Sequence, residues 1–160
     1  MISIIATIGK NNELAKNKIS LWDLPSDLKF FKKITINHTI VMDEDVYNQN
    51  NRIFSNRYNI VVSNTLKDVS GVEIVKSAEE ILKRFKDTQD DVYVIGGKNL
   101  FDYFLKYAGK VFLTVVDDQK DADEYFPILE KNNYEYNILE EIIEDNISYK
   151  HVLYVKSSRW

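Results

Sequence analysis

The chain contains no cysteine, which excludes disulfides, thiolate metal sites and cysteine nucleophiles at once. Proline occurs twice and glycine five times, with no linker-like or low-complexity stretch, so the 160 residues read as a single domain over positions 1–160 with a full core. There is no excess of basic residues. Lys and Arg number 21 against 25 Asp and Glu, and the formal net charge of −4 argues against nucleic acid as a partner, because neutralising phosphates takes a basic surface. The two histidines, His38 and His151, have no carboxylate spacing around them that supports a metal site, and none is expected. Long apolar runs are missing as well. The run from Ile2 to Ile8 lacks a basic leader and stops at Gly9-Lys10-Asn11, so it is neither signal peptide nor membrane span, and the expected location is the cytoplasm.

What is present is an alternation of buried strands and amphipathic helices. Ile2 to Ile8 is nearly continuous and β-branched, as suits a strand covered on both faces. Thr39 to Met42, Tyr58 to Ser63, Val72 to Val75, Asp91 to Ile95 and Lys110 to Val116 read as further strands. Gly9 to Ser20 has no periodicity and is expected to be a long loop, and Asn48 to Asn56 another. Asp43 followed by Glu44 and Asp45 reads as a helix start with Asp43 as its N-cap, and Ser77-Ala78-Glu79-Glu80 as a capping box. Tyr134 to Ile143 and Tyr149 to Lys156 form a closing hairpin around Glu144-Asp145-Asn146. The expected fold is α/β, a mixed and mainly parallel sheet flanked by helices, with an antiparallel C-terminal hairpin.

The stretch from Leu21 to Phe31 carries the first chemical signal. Pro25 suits a first helical turn, and Leu24, Leu28, Phe31 and Ile34 recur on one helix face. Asp27 lies beside that face, with Leu24, Phe30 and Phe31 one turn away, so its carboxylate looks into an apolar hollow, a setting that suits a group holding or relaying a proton. An acid in a first turn also offsets the helix dipole, and position alone leaves both roles open. The second signal is Gly96-Gly97 between a buried strand and a helix, where bare backbone lets N–H groups approach an anion; a glycine pair also makes an ordinary tight turn. Thr114 interrupts an apolar strand and needs a partner for its hydroxyl, and Arg57 has the fork that binds a carboxylate.

Together these residues resemble the dihydrofolate reductases. The likeness runs through Met1 to Ala6, Trp22-Asp23-Leu24-Pro25-Ser26-Asp27-Leu28, Phe31-Lys32, Arg57 to Ser63, Val94-Ile95-Gly96-Gly97, Leu113-Thr114 and Asp123 to Pro127, nearly the whole chain. The resemblance implies an eight-stranded mixed sheet in a monomer, and hydride transfer from NADPH, with NADH as an alternative donor, to the small-molecule substrate dihydrofolate. It implies that Asp27 binds the pterin's amidine edge and supports protonation of N5, with Trp22 and Thr114 holding water and the acid in place. Ile5, Ala6, Leu28, Phe31 and Ile95 would line the pterin and nicotinamide, and Arg57 with Lys32 would take the glutamate tail. Ala6, Thr7, Leu14, Gly96, Gly97, Lys98 and Phe101 would contact the cofactor, with Ser63 and Lys76 at its adenosine end.

One departure is pronounced. Where the family usually carries Met-Gly-Arg-x-Thr, this chain has Met42-Asp43-Glu44-Asp45-Val46 and so lacks the glycine, the arginine for the 2′-phosphate and the threonine for the pyrophosphate. A reductase with altered cofactor use is the leading reading, and a folate- or pterin-binding relative with little hydride transfer is the alternative. The reductase of riboflavin biosynthesis, which has a similar fold, suits Trp22, Asp27, Arg57 and Thr114 less well.

Overall fold

The computed structural model describes residues 1–50 and 53–157. In chain order the strands and helices are β1 (Ile2–Gly9), β2 (Glu13–Lys16), β3 (Ile19–Ser20), α1 (Pro25–Thr35), β4 (Thr39–Asp43), α2 (Glu44–Asn50), β5 (Tyr58–Val62), β6 (Val72–Val75), α3 (Ala78–Phe85), β7 (Val92–Gly96), α4 (Lys98–Phe104), β8 (Lys110–Val116), β9 (Glu124–Tyr125), β10 (Tyr134–Glu144) and β11 (Ile147–Lys156). The main sheet has eight strands in the order β10-β11-β8-β1-β7-β4-β5-β6. From β8 to β6 every pairing is parallel, and β11 and β10 close the other edge antiparallel. The mixed, mainly parallel sheet with its C-terminal hairpin is therefore as the sequence predicts.

β1 sits near the middle because its side chains are apolar on both faces. The period of two then sorts them. Ile2, Ile4, Ala6 and Ile8 enter one core layer with Leu100, Phe101 and Phe104 of α4 and Ile81 of α3, while Ile5 enters the opposite layer with Phe30 of α1, Met42, Tyr93 and Phe112. Thr7 has the phase of Ile5, which points its hydroxyl toward α1. Phe30, 8% exposed, anchors that helix, and its truncation to alanine would cost about 3–5 kcal/mol.

The expectation of an unstructured loop from Gly9 to Ser20 is corrected. β2 pairs with both β3 and β9 in a separate three-stranded sheet. Glu13 is buried inside it because its carboxylate accepts the backbone N–H groups of Asn11 (2.7 Å) and Lys120 (3.0 Å). Left-handed backbone at Asn12, Asn17 and Lys18 makes the turns, a conformation asparagine tolerates better than most residues. The expected polar loop from Asn48 also starts later, since α2 runs to Asn50; positions 51 and 52 lie outside the described residues. No helix among the described residues is long and apolar enough to cross a membrane.

Candidate active site

Asp27 owes its position to a helix start that is capped from outside. Leu24 precedes α1 in extended backbone and offers no side-chain cap, and Pro25 has no N–H to satisfy. Glu144, at the end of β10, supplies the missing acceptor: its carboxylate takes the Ser26 N–H at 3.2 Å, the Ser26 hydroxyl at 2.5 Å and the Tyr149 hydroxyl at 2.9 Å. Those bonds, that from the Ser26 hydroxyl foremost, hold the Glu144 carboxyl below its ordinary range. The hairpin thus holds the first turn of α1, which carries the pocket acid.

The Asp27 carboxylate is nearly enclosed, with a side chain 14% exposed. Thr7 donates to Oδ2 at 2.5 Å and Thr114 to Oδ1 at 2.6 Å. The Nε2 of His151 lies 3.1 Å from the same Oδ1. Two hydroxyls and an imidazole therefore fix both oxygens and leave one edge of the acid toward a cleft. That cleft, about 280 Å³, is lined at its acid end by Ile5, Ala6, Leu28, Phe31, Phe54 and Ile95. A planar, apolar ring with a polar edge toward Asp27 suits such walls. Leu28 is 41% exposed and faces the cleft, so the stripe expected from Leu24, Leu28, Phe31 and Ile34 is split: Leu24 is buried and Ile34 packs on the core, Leu28 and Phe31 line the cleft, and Phe30, outside that stripe, enters the core.

The far end of the cleft is bounded by β4, the start of α2, and the junction of β7 with α4. Gly96 and Gly97 line it with bare backbone and are joined by a cis peptide bond. A Cβ on Gly97 would lie 2.8 Å from Oδ2 of Asp43, so backbone and carboxylate are in direct apposition. Asp43 accepts the Val46 N–H at 2.9 Å and so caps α2, as the sequence predicts. Glu44 is held by the hydroxyls of Thr65 (2.7 Å) and Ser63 (3.2 Å), and Asp45 pairs with Lys18 at 3.5 Å.

Comparison with known proteins gives this geometry a family. A family model described as Dihydrofolate reductase matches residues 1–159. The dihydrofolate reductase of Bacillus subtilis is 29% identical over 99% of this chain and 96% of its own length, and the type 3 enzyme of Salmonella typhimurium is 34% identical over 79% and 78%. A solved dihydrofolate reductase from Enterococcus faecalis, in complex with NADP(H) and RAB-propyl, superposes with a TM-score of 0.88 at 23% identity, covering 99% of this chain and 97% of that one. The chain belongs to the dihydrofolate reductase family. Membership makes it an NAD(P)H-dependent oxidoreductase acting on dihydrofolate.

Of the residues expected from the family pattern, Ile5, Ala6, Thr7, Leu14, Trp22, Asp27, Leu28, Phe31, Ile95, Gly96, Gly97, Lys98, Phe101 and Thr114 all line the one cleft. Four do not. Arg57 and Lys32 are not among its lining residues, and Arg57 donates to the Lys32 carbonyl (2.7 Å), the Ser55 carbonyl (2.6 Å) and the Thr35 hydroxyl (2.9 Å). Of the five N–H donors of a guanidinium, two then point away from these partners. Ser63 serves Glu44 and the backbone N–H groups of Thr65 and Leu66, and Lys76 is exposed on the loop before α3. Three further contacts were not foreseen: Thr7 binds the acid directly, the Trp22 indole donates to Asp118 at 3.3 Å, and Lys98 is paired with Asp102 at 2.8 Å.

Sequence reasoning missed His151, Glu140 and Glu144. A signal was available for the first. Tyr149, His151 and Leu153 share a strand face by the period of two, and a histidine in line with a tyrosine and a leucine is a polar group in a core position.

Proposed function

We propose that this cleft reduces dihydrofolate with Asp27 as its pocket acid, and that its discrimination between NADPH and NADH is small or reversed. The observation that carries the reading is the triply held carboxylate of Asp27 in a cleft that Ile5, Leu28, Phe31 and Ile95 help to wall. A reduced nicotinamide, when bound, would supply the hydride for C6 of the pterin, with N5 taking a proton. The protein's part is alignment and protonation. The ionised carboxylate accepts two parallel N–H bonds from an amidine edge, and this fixes the ring between Ile5, Leu28, Phe31 and Ile95. Thr7 and Thr114 keep both oxygens oriented without competing for the outward lone pairs.

The residues present fit a nicotinamide cofactor at one end of the cleft and oppose its phosphates at the other. Ala6, Ile95, Gly96 and Gly97 give a flat, small-residue wall that suits a ring and closely approaching backbone. Asp43 is already apposed to Gly97 and already caps α2, so an anion arriving there meets a carboxylate instead of open N–H groups. Glu44, at the position where the family pattern has arginine, meets a 2′-phosphate with like charge but accepts a hydrogen bond from a 2′-hydroxyl. Arg57, with two N–H groups beyond those bonded to Thr35, Ser55 and Lys32, is the group we assign to the glutamate tail. The chain is read as one domain over residues 1–160, acting as a monomer in the cytoplasm.

Turnover is tested by mixing protein, dihydrofolate and either NADPH or NADH and following tetrahydrofolate. Asp27→Asn should leave the fold intact and remove most turnover at neutral pH, with a smaller loss at acidic pH, where solvent delivers substrate already protonated. Unchanged turnover in the variant would reduce Asp27 to a helix-dipole partner. Folate binding without any nucleotide binding would favour a binding protein over a reductase.

A further inference from the structure

His151 is fully buried on β11 and stacks on Phe30 with ring centroids 3.8 Å apart and planes 10° from parallel. Each ring nitrogen faces a carboxylate: Nε2 is 3.1 Å from Oδ1 of Asp27, and Nδ1 is 2.6 Å from Oε1 of Glu140. A neutral imidazole has one N–H, so either tautomer would turn a lone pair toward one of these ionised oxygens; the imidazolium donates to both. A bulge builds this arrangement. The register of β10 against β11 slips between Ile138, opposite Val152, and Glu140, opposite His151. Without the slip Leu139 would face His151, and the extra residue puts Glu140 there instead.

We propose that His151 is a positioning residue for the pocket acid, holding a proton as imidazolium between Asp27 and Glu140 and so tying the charge of the active site to a carboxylate at the edge of the sheet. The proposal rests on the reductase reading for its effect on turnover, though not for the charge on the ring. The groups that face His151 are Asp27 and Phe30 from α1, Thr114 from β8, Glu140 from β10 and the Tyr149 ring, 5.7 Å away on β11 itself. Burial is the largest single influence and opposes the charged ring. The hydrogen bonds to Asp27 and Glu140, with their charges, exceed it together and hold the ring above its ordinary titration range. With the proton in place Asp27 has a neighbouring positive charge and a third donor; when the proton leaves, the charge is lost and only the hydroxyls of Thr7 and Thr114 hold the carboxylate in both tautomers.

The test uses the full chain. The ring signals of His38 and His151 are followed by NMR against pH, with His38→Gln to assign them, in the parent and in Glu140→Gln, whose side chain is 49% exposed and so is a mild change for the fold. His151 should titrate above the ordinary histidine midpoint of about 6.5, and Glu140→Gln should lower its midpoint by about one pH unit, the smaller end of the effect of one opposite charge. The alkaline fall of kcat for dihydrofolate should move down by the same amount, giving a roughly tenfold loss on that limb with KM changed less. His151→Gln, which retains a donor toward Asp27 but cannot carry charge, should turn over faster than His151→Phe at every pH, stay below the parent at low pH and lack the alkaline limb that follows the His151 proton. A ring midpoint at or below the ordinary value, or a midpoint and pH profile both unmoved by Glu140→Gln, would overturn the proposal. A raised and Glu140-dependent midpoint in a protein without turnover would uphold the charge relay and reject the reductase reading instead.

Discussion

Replacing Glu44 by glutamine is the sharpest probe of cofactor choice, because it removes a charge and keeps the shape. The carboxylate is fixed by the Thr65 hydroxyl at 2.7 Å and the Ser63 hydroxyl at 3.2 Å, so it cannot swing freely away from an incoming group. Two unit charges about 4 Å apart at an effective dielectric near 20 interact by roughly 4 kcal/mol. Glu44 is only half-buried, and salt screening at such a site leaves about half of this, about 2 kcal/mol or roughly thirtyfold in affinity. Glu44→Gln should therefore strengthen NADPH binding by roughly that factor and change NADH binding by much less, since a 2′-hydroxyl pairs with a carboxylate or an amide oxygen alike. The assay is titration of the pure protein with each nucleotide at two ionic strengths, with the difference between parent and variant shrinking as salt rises. Parent protein that already binds NADPH at low micromolar levels with strong preference over NADH, or a variant whose two affinities rise together, would refute the argument from this position.

The apposition of Gly97 and Asp43 predicts a coupled pair. Gly97→Ala should destabilise the parent by about 1–3 kcal/mol, the usual cost of overpacking, and cost much less in an Asp43→Gly background; equal costs in a denaturant-melt cycle would show that the carboxylate is not in the way. Arg57→Ala should weaken dihydrofolate by about 1.5–3 kcal/mol and leave a pterin without the glutamate tail unaffected, whereas equal weakening of both would make its bonds to Lys32, Ser55 and Thr35 its whole role. Glu144→Ala should lower the melting temperature at neutral pH by freeing the start of α1 from the hairpin. Because the folded carboxyl titrates below its unfolded value, that contribution is present above the unfolded pKa of about 4.3 and lost as pH falls through the folded one, so parent and variant melts should converge in acid. A difference that persists there would assign the effect to lost packing.

What could be read from sequence was what depends on neighbours along the chain. β1, β4, β5 and β7 are short β-branched runs, and α3 has its capping box and stripe, so local pattern and burial agree. β2 and β3 escaped because they are too short to show a period and because Glu13, the residue most buried in them, is polar and held by backbone donors that no hydropathy pattern records. Asp27 was legible as an acid beside an apolar helix face. Its ligands were legible only in part: Thr114 stood out as a hydroxyl in an apolar strand, but Thr7 looked like any β-branched residue of β1, and His151 lies 124 positions from Asp27. Bringing that histidine to the acid requires β11 to lie beside β8 and β8 beside β1, a strand order that no local signal contains.

The two ends of the cleft differ in how their charge is arranged, and this difference favours catalysis with altered cofactor use over simple folate binding. Asp23, Asp27, Asp43, Asp45 and Glu124 line the cleft against Lys18 and Lys98. Both lysines are committed, Lys18 to Glu124 and Asp45, and Lys98 to Asp102. At the floor the negative charge is single, nearly enclosed and organised by Thr7, Thr114 and His151, an arrangement that costs desolvation and ordering and is useful only if a proton or a cationic edge meets it there. At the rim the charges are half-buried or exposed and satisfied by local hydroxyls and amides, at the place proposed above for the cofactor's phosphates. A protein that only bound folate would use the first arrangement for the amidine edge alone, with no need of a proton there, and would be indifferent to the second. A reductase needs the first, and can tolerate the second if its donor carries fewer phosphates or if salt screens the rim, which makes the ionic-strength dependence of nucleotide binding the property in which the two ends of this cleft are most cleanly separated.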